Sequence, residues 1–170
     1  MQRMRAYRFV ADEQVIATTR LHSHLAGSLV RGQGLAYRVT VGSKTQEVVR
    51  LRSATYVRVV PHHWARLKHP KRLADPTATL QKILRGLRPT GLATSHGITA
   101  VHGTLTPAAA RASGLPATRP VEVTVTIDPH GRVIAVDLRT TTRAAGHDVT
   151  VRLRTAYDGF DRVRPIRKPV

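Results

Sequence analysis

The chain has 170 residues, no cysteine and a formal net charge of +18, from 28 lysines and arginines against 10 aspartates and glutamates. The length suits one domain with an apolar core. The missing thiols exclude disulfides, thiolate catalysis and cysteine-ligated zinc or iron–sulfur clusters. The positive charge favours anionic partners. Residues 1–25 contain no apolar run of signal-peptide type, so no export segment is visible in the sequence.

The first part of the chain predicts antiparallel strands, because apolar and polar residues alternate along it. Residues 4–11 form the first predicted strand and residues 15–29 the second. The polar triplet at residues 12–14 is predicted to be the turn between them. Gly27 is expected to mark a bulge in the second strand.

A turn at residues 31–34 leads into a meander of three further strands, and a fourth short strand is predicted at residues 64–67. We expect the turn at residues 42–44 to join the third and fourth strands as a hairpin. The residues predicted on the inward, apolar face of this meander are Leu35, Tyr37, Val39, Val41, Val49, Leu51, Val57 and Val59. The arginines between them, Arg38, Arg50, Arg52 and Arg58, are predicted to face water.

The middle of the chain predicts two helices. Asp75 is a plausible N-cap with Pro76 at the first helical position, and the spacing of Leu80, Ile83 and Leu84 gives an apolar stripe over residues 76–87. Residues 92–105 return to strand, with a turn at residues 96–97. A second, alanine-rich helix at residues 108–112 follows a cap at Thr106 and Pro107.

The last part, residues 119–157, predicts three consecutive antiparallel strands. Its first turn runs from Asp128 to Gly131, where Pro129 restricts φ and Gly131 accepts a positive φ. A loop is expected at residues 141–148. The inward residues are predicted to be Val121, Val123, Val125, Ile127, Ile134, Val136, Leu138, Val149, Val151 and Leu153.

These elements favour an α+β fold that is mainly antiparallel β, in which one curved, unclosed sheet carries one or two short helices on its apolar face. A flat sandwich fits less well, because two helices interrupt the order of strands. We predict one domain over residues 1–160 and a basic tail over residues 161–170.

The sequence contains no phosphate-binding glycine loop, nucleophile elbow or paired carboxylates, so we expect no enzyme activity. His22 and His24 are two apart on one strand and could share a metal, but zinc needs a third ligand. We therefore predict that the histidines are solvent-facing, and we predict no metal and no cofactor. Tyr56 is the one aromatic residue expected on the wet face, and one ring is not a base-stacking platform. A nucleic-acid partner is therefore disfavoured.

The order of parts resembles the actinobacterial LppX/LprG-type lipoproteins, whose fold is shared with the LolA/LolB lipoprotein carriers. The resemblance covers residues 37–160 and includes the Trp-containing segment HHWARL, the helix DPTATLQKIL and the hairpin VEVTVTIDPHGRVIAVDLR, with Asp128, Gly131 and Arg132 in its turn. It implies a curved half-barrel with helices filling its mouth. It also implies a cavity for acyl chains and a carrier role, without chemistry, on the extracytoplasmic side of the cell envelope.

We therefore expect non-catalytic binding or carriage of a lipid, lipoprotein or other hydrophobic ligand by a monomer. The predicted cavity-lining residues are Tyr37, Val39, Val49, Leu51, Val57, Leu80, Ile83, Leu84, Val123, Val125, Ile127, Ile134, Val136, Leu138, Val151 and Leu153. Ordinary core packing is the alternative role for each of them. The alternative function is electrostatic binding of an anionic surface, nucleic acid or acidic lipid headgroups, through outward arginines.

Overall fold

The computed structural model describes residues 5–68, 76–144 and 146–170, which form eleven strands and two helices. The elements of the first part are β1 (Ala6–Ile16), β2 (Arg20–Val30), β3 (Gly34–Val41), β4 (Lys44–Leu51), β5 (Thr55–Val59) and β6 (Ala65–Arg66). The remaining elements are α1 (Pro76–Gly86), β7 (Arg88–Ser95), β8 (Ile98–Leu105), α2 (Pro107–Ala112), β9 (Val121–Ile127), β10 (Val133–Ala144) and β11 (His147–Asp158).

Hydrogen bonds join these strands into one sheet with the order β6-β5-β4-β3-β2-β1-β11-β10-β9-β8-β7. The pairs whose register is defined are antiparallel. Within the described residues, β6 and β7 lie at opposite ends of this order and do not pair, so the sheet is not closed. The prediction of a mainly antiparallel, unclosed sheet with two short helices is therefore confirmed. None of the helices in the described residues is long and apolar enough to cross a membrane.

Tertiary contacts divide the described chain into two compact units. Unit 1 contains residues 5–12, 22–68 and 155–170. Unit 2 contains residues 13–21, 76–144 and 146–154. The domain boundary expected after residue 160 stays a prediction.

An aromatic cluster forms part of the core of unit 1. Tyr7 and Phe9 of β1 are each 2% exposed, and their ring centroids lie 6.3 Å apart in an edge-on arrangement. Tyr157 of β11 completes the cluster, with its ring 5.6 Å from that of Tyr7. Burial, with a smaller contribution from Tyr7, raises the pKa of Tyr157, so its hydroxyl stays protonated.

Gly27 of β2 lies against this cluster, and the predicted bulge there is wrong. The pairing of β2 with β3 runs without a register shift, and Gly27 is opposite Tyr37. A Cβ atom on Gly27 would come within 2.7 Å of the Phe9 ring and 2.5 Å of the Ala36 carbonyl oxygen. The glycine therefore allows close packing of the Phe9 ring on the strand.

The turn predicted at residues 12–14 is also wrong, because β1 continues through them to Ile16. The chain reverses at residues 17–19 instead. Asp12 belongs to the paired strand, and its carboxylate lies 2.7 Å from Nδ1 of His24 on β2. Three consecutive polar residues resemble a turn in sequence, which explains the error.

The C-terminal segment 161–170 belongs to unit 1. The Asp161 carboxylate accepts hydrogen bonds from the backbone N–H groups of Arg5 and Ala6, at 3.0 and 3.3 Å. Further along, the Lys168 ammonium lies 6.0 Å from the centroid of the Tyr56 ring on β5. Every third residue of the segment, Val163, Ile166 and Pro169, is half-buried. Threefold spacing is typical of an extended polyproline-type chain that places one edge on a surface.

The hairpin of β9 and β10 provides the buried sheet face of unit 2. Val123 pairs with Leu138 and Val125 pairs with Val136, and all four are at most 6% exposed. The turn between the strands is the one predicted from sequence, with Gly131 at a φ of 74°.

The side chain of Asp128 organises that turn. It accepts hydrogen bonds from the backbone N–H groups of His130 and Arg132, both at 2.9 Å, and from the Arg132 guanidinium at 2.7 Å. Desolvation alone would raise the pKa of Asp128. The bonds from Arg132 and His130 outweigh that effect and hold the pKa below its usual value.

Strand β10 contains a bulge that corrects the expected position of Ile134. The register shifts between Val133 and Ala135, so Ile134 is the extra residue. Val133, opposite Ile127, is 5% exposed, whereas Ile134 is half-buried. The loop expected at residues 141–148 is also wrong, because β10 and β11 extend into it.

The two helices pack together in unit 2. Leu80 and Ile83 of α1 are buried at 3% and 4% exposure, as the apolar stripe predicted. A Cβ atom on Gly86, at the end of α1, would be 3.0 Å from Ala109 of α2. One on Gly103 of β8 would be 2.8 Å from the Leu87 side chain, so the chain after α1 lies directly on that strand.

Both ends of α2 have hydrogen-bonded caps. The Thr106 hydroxyl accepts from the Ala109 N–H at 3.2 Å, which confirms the predicted N-cap. At the other end Gly114 has a φ of 86°, and the Leu115 N–H donates to the Ala110 carbonyl at 3.0 Å. This is the Schellman arrangement. The N-cap predicted at Asp75 lies outside the described residues.

Candidate functional site

The candidate site is one face of strands β2 to β5 in unit 1. Directly opposed residues of antiparallel strands share a face, so the register defines its members. We call this set the apolar face: Leu25, Leu29, Leu35, Tyr37, Val39, Val41, Val48, Val57 and Val59. Leu35 and Val48 are each 4% exposed, but Val41 and Val59 are 39% and 47% exposed and the others are half-buried.

The register corrects the prediction for β4. Tyr37 pairs with Val48, and Val48 pairs with Val57, so Val48 is the residue of β4 on the apolar face. Val49 pairs with Ala36 and Tyr56, and Leu51 pairs with Gly34, so both lie on the opposite face from Tyr37, Val39 and Val57. The prediction that Val49 and Leu51 share a face with those three residues is therefore wrong.

The cause is the length of one turn. Val41 pairs with Lys44, so the hairpin has a two-residue turn, Gly42 and Ser43, rather than the expected three. One residue fewer in the turn moves every side chain of the following strand to the other face. Gly42 has a φ of 58°, as such turns require.

The same shift moves Arg50 from the predicted wet face to the apolar face. Arg50 pairs with Leu35 on one side and with Thr55 on the other. Burial raises the pKa of Tyr37, and the positive charge of Arg50 opposes that rise. The Arg50 guanidinium therefore lies at one end of the apolar face, where the alternation in the sequence predicted Leu51.

The opposite face of β3 to β5 carries a charge cluster in which one carboxylate pairs with two arginines. Glu47 is 12% exposed and accepts hydrogen bonds from both Arg38 and Arg58. Desolvation alone would raise the pKa of Glu47, but the bonds from Arg58 and Arg38 hold it below its usual value. Arg58 also lies over the Trp64 ring, 4.9 Å from its centroid. These two arginines are already engaged within the chain.

The predicted lining residues of unit 2 are largely closed to solvent. Those at most 7% exposed are Leu80, Ile83, Val123, Val125, Val136, Leu138 and Val151. Ile127, Leu84, Ile134 and Leu153 are half-buried. The structure therefore places most of this group in packed core within their unit, and their role as cavity lining stays a prediction.

A cavity of about 600 Å³ lies in unit 1, at the turn between β4 and β5 and beside β6. Its basic lining residues are Arg50, Arg52, Arg66 and Lys68, and no acidic residue lines it. Apolar surface comes from Leu51, Ala54 and Leu67. Leu51 was predicted as lining, and the cavity that it lines is this one. Sequence reasoning missed this site, because its basic residues are separated in the chain and meet only through the pairing of β5 with β6.

His22 and His24 both approach Asp12, at 3.5 and 2.7 Å from its Oδ1 atom. All three side chains are solvent-exposed. Nowhere in residues 5–68, 76–144 or 146–170 do three histidine or carboxylate side chains converge in a way that could hold a metal ion.

The chain matches no protein-family model and no curated protein. It is similar to several solved structures. Against the lipoprotein LppX of Mycobacterium tuberculosis the identity is 10% and the TM-score 0.43, covering 98% of this chain and 91% of that one. Against a LolA superfamily protein from Nitrosomonas europaea the identity is 8% and the TM-score 0.35, covering 99% and 89%.

A third similar structure is that of MucB in complex with MucA, at 14% identity and a TM-score of 0.28, covering 95% of this chain and 94% of the matched chain. The first two structures are of the LppX and LolA types that the sequence resembles.

Proposed function

We propose that this protein binds or carries, without chemical conversion, a hydrophobic ligand such as an acyl chain, a lipid or a lipoprotein. The observation that carries the proposal is the incomplete cover of the apolar face. Of its nine side chains, Leu35 and Val48 are buried, and the remainder keep surface open to solvent. The register also puts Gln46 on this face, between Val39 and Val59, and Lys44 beside Val41. Exposed apolar surface marks interaction sites in soluble proteins.

Each methylene that leaves water for such a face contributes about 0.8 kcal/mol. An acyl chain therefore gains affinity by contact area, with no polar anchor along its length. Tyr37, Val39 and Val57 are the predicted lining residues that this face contains. By the resemblance drawn from the sequence, we place the protein on the extracytoplasmic side of the cell envelope, as a monomer.

The test begins with the ligand that the protein carries. Purified protein is extracted with organic solvent and the extract is analysed by mass spectrometry. We expect acyl-chain compounds in amounts comparable to the protein. An extract free of such compounds, from a protein that also fails to bind a fluorescent hexadecanoate, would rule out the proposal.

Two neighbouring valines provide a variant and a matched control that test where the fluorescent hexadecanoate binds. Val59 and Val60 are 47% and 41% exposed, but Val59 belongs to the apolar face and Val60 follows the end of β5. Val59→Asp is expected to weaken binding at least fivefold, because it puts a carboxylate on the face. Val60→Asp should leave binding unchanged. An equal effect of both substitutions would argue against the face as the site.

Electrostatic binding of an anionic surface is the second candidate function. The net charge of +18 and the basic cavity favour it. Binding of this kind weakens steeply with salt. Retention on DNA or on anionic vesicles that is lost between 50 and 200 mM salt, roughly the range over which such contacts are screened, would support it if no lipid co-purifies.

A further inference from the structure

The basic cavity beside β6 differs from the Glu47 cluster of unit 1 because no acidic residue lines it. Of the carboxylates within the described ranges, none forms an ion pair with Arg52, Arg66 or Lys68. Arg38 and Arg58, by contrast, share the carboxylate of Glu47. Converging cations without a partner repel one another, and an anion would remove that repulsion.

The backbone around the cavity is fixed by hydrogen bonds. The Leu51 N–H donates to the Ala54 carbonyl at 2.8 Å, which closes the turn between β4 and β5. The Leu67 N–H donates to the Thr55 carbonyl at 2.8 Å, which holds the residues after β6 against β5. Thr55 is 2% exposed. The basic side chains therefore extend from a defined backbone frame.

The Arg52 guanidinium is placed over the neighbouring turn. It lies 3.4 Å from the position that a Cβ atom on Gly32 would occupy. Gly32 has a φ of 80° and belongs to the turn between β2 and β3. Arg52 thus spans from its own turn to the next one.

The cavity also adjoins the apolar face. Arg50 lines the cavity and is at the same time the cross-strand partner of Leu35, a member of that face. Leu67, 37% exposed, adds an apolar wall. On this face Arg50 lies between Leu35 and Thr55, which are 4% and 2% exposed, and the half-buried Tyr37 and Val57 come two residues further along their strands.

We infer that this cavity binds the phosphate head group of an amphiphile whose alkyl part lies along the apolar face. Planar guanidinium groups match the geometry of phosphate oxygens and form two parallel hydrogen bonds to them. Four basic residues suit a doubly charged phosphate monoester better than a single carboxylate. The alkyl part of this inference rests on the function proposed above, and the anion site rests on the cavity alone.

The test measures binding of three probes to the full chain by isothermal titration, each below its micelle concentration. Decyl phosphate carries both the head group and the alkyl chain, decyl maltoside carries the chain alone, and glycerol phosphate carries the phosphate alone. The expected order of affinity is decyl phosphate first, with each of the other two at least tenfold weaker.

The double variant Arg52→Gln/Arg66→Gln removes two charges from the cavity. This variant is expected to bind decyl phosphate about tenfold more weakly. Its affinity for decyl maltoside should be unchanged. The matched control is Arg139→Gln/Arg152→Gln, which removes the same charge at exposed positions of β10 and β11. The control should change neither affinity.

The outcomes separate the two proposals. Equal losses in both double variants would show a general charge effect and overturn the cavity as the site. Equal affinity for glycerol phosphate and decyl phosphate would assign the cavity to soluble phosphate esters and overturn the amphiphile. Binding of decyl maltoside without any preference for decyl phosphate would overturn the anion site and leave the proposed function standing. Binding of neither decyl probe would contradict the proposed function itself.

Discussion

Val48 of β4 lies directly opposite Tyr37 of β3, on the same face of the sheet. This pairing assigns the alternate residues of β4 to their faces, so the neighbouring valine, Val49, points the other way. Val48 is 4% exposed and Val49 is half-buried. The two residues have the same side chain and occupy opposite faces of the sheet.

Truncation of each valine tests this register. Val48→Ala is expected to lower the free energy of unfolding by about 2 kcal/mol, because two buried carbons are lost and a cavity remains. Val49→Ala should lower the free energy of unfolding by less than about 1 kcal/mol. Urea denaturation measures both. A larger cost at Val49 would contradict the register.

Substitution of Gly27 tests the packing of Phe9 on β2. Gly27→Ala is expected to destabilise the fold by about 2 kcal/mol, since the new methyl group overlaps the Phe9 ring and the Ala36 carbonyl oxygen. Gly91→Ala on β7 is the control, because nothing lies within 4 Å of its Cβ position. Gly91→Ala should change the free energy of unfolding by no more than about 0.5 kcal/mol. Similar thermal midpoints for the two variants would refute the close approach.

The pH dependence of stability should include a contribution from Glu47. Its pKa is lower in the folded chain than the ordinary value of 4.5, so the ionised form is favoured by folding. The contribution is present above about pH 4.5 and is lost as the pH falls through the folded pKa. Glu47→Gln is therefore expected to cost about 1 kcal/mol at pH 7 and progressively less below pH 4.5.

The urea midpoints of the unmodified chain and of Glu47→Gln, measured between pH 7 and pH 3, check this expectation. The two curves should converge at the acid end. A constant difference across the whole range would mean that Glu47 stabilises the fold by packing and not by charge.

Thr140 has a buried hydroxyl that makes no hydrogen bond with the described residues. Thr140 is 6% exposed, and an unpaired buried hydroxyl costs about 1–3 kcal/mol. Thr140→Val replaces it with a methyl group of similar size and is expected to stabilise the fold by about 1 kcal/mol. Thr90→Val on the exposed strand β7 is the control and should have little effect. Destabilisation by Thr140→Val would show that the hydroxyl has a partner in solution.

Local signals predicted much of the fold. The turn from Asp128 to Gly131, the Thr106 cap and the apolar stripe of α1 each depend on residues within one or two turns of chain, and the structure contains all three. The errors at residues 12–14 and at Ile134 have a different origin. Consecutive polar residues within a strand resemble a turn, and a bulge adds one residue without any marker in composition.

The sequence by itself determined that the chain forms alternating strands with one apolar side, because side-chain period and turn chemistry are local properties. Only the tertiary structure decided which residues of different strands share that side, because a single residue in the turn at Gly42 and Ser43 reverses the faces of β4. Because of that reversal, Val48 and not Val49 lies on the apolar face, and Arg50 lies at its end. The basic cavity likewise exists only after β5 and β6 pair, since long-range pairing brings Arg52 and Arg66 together.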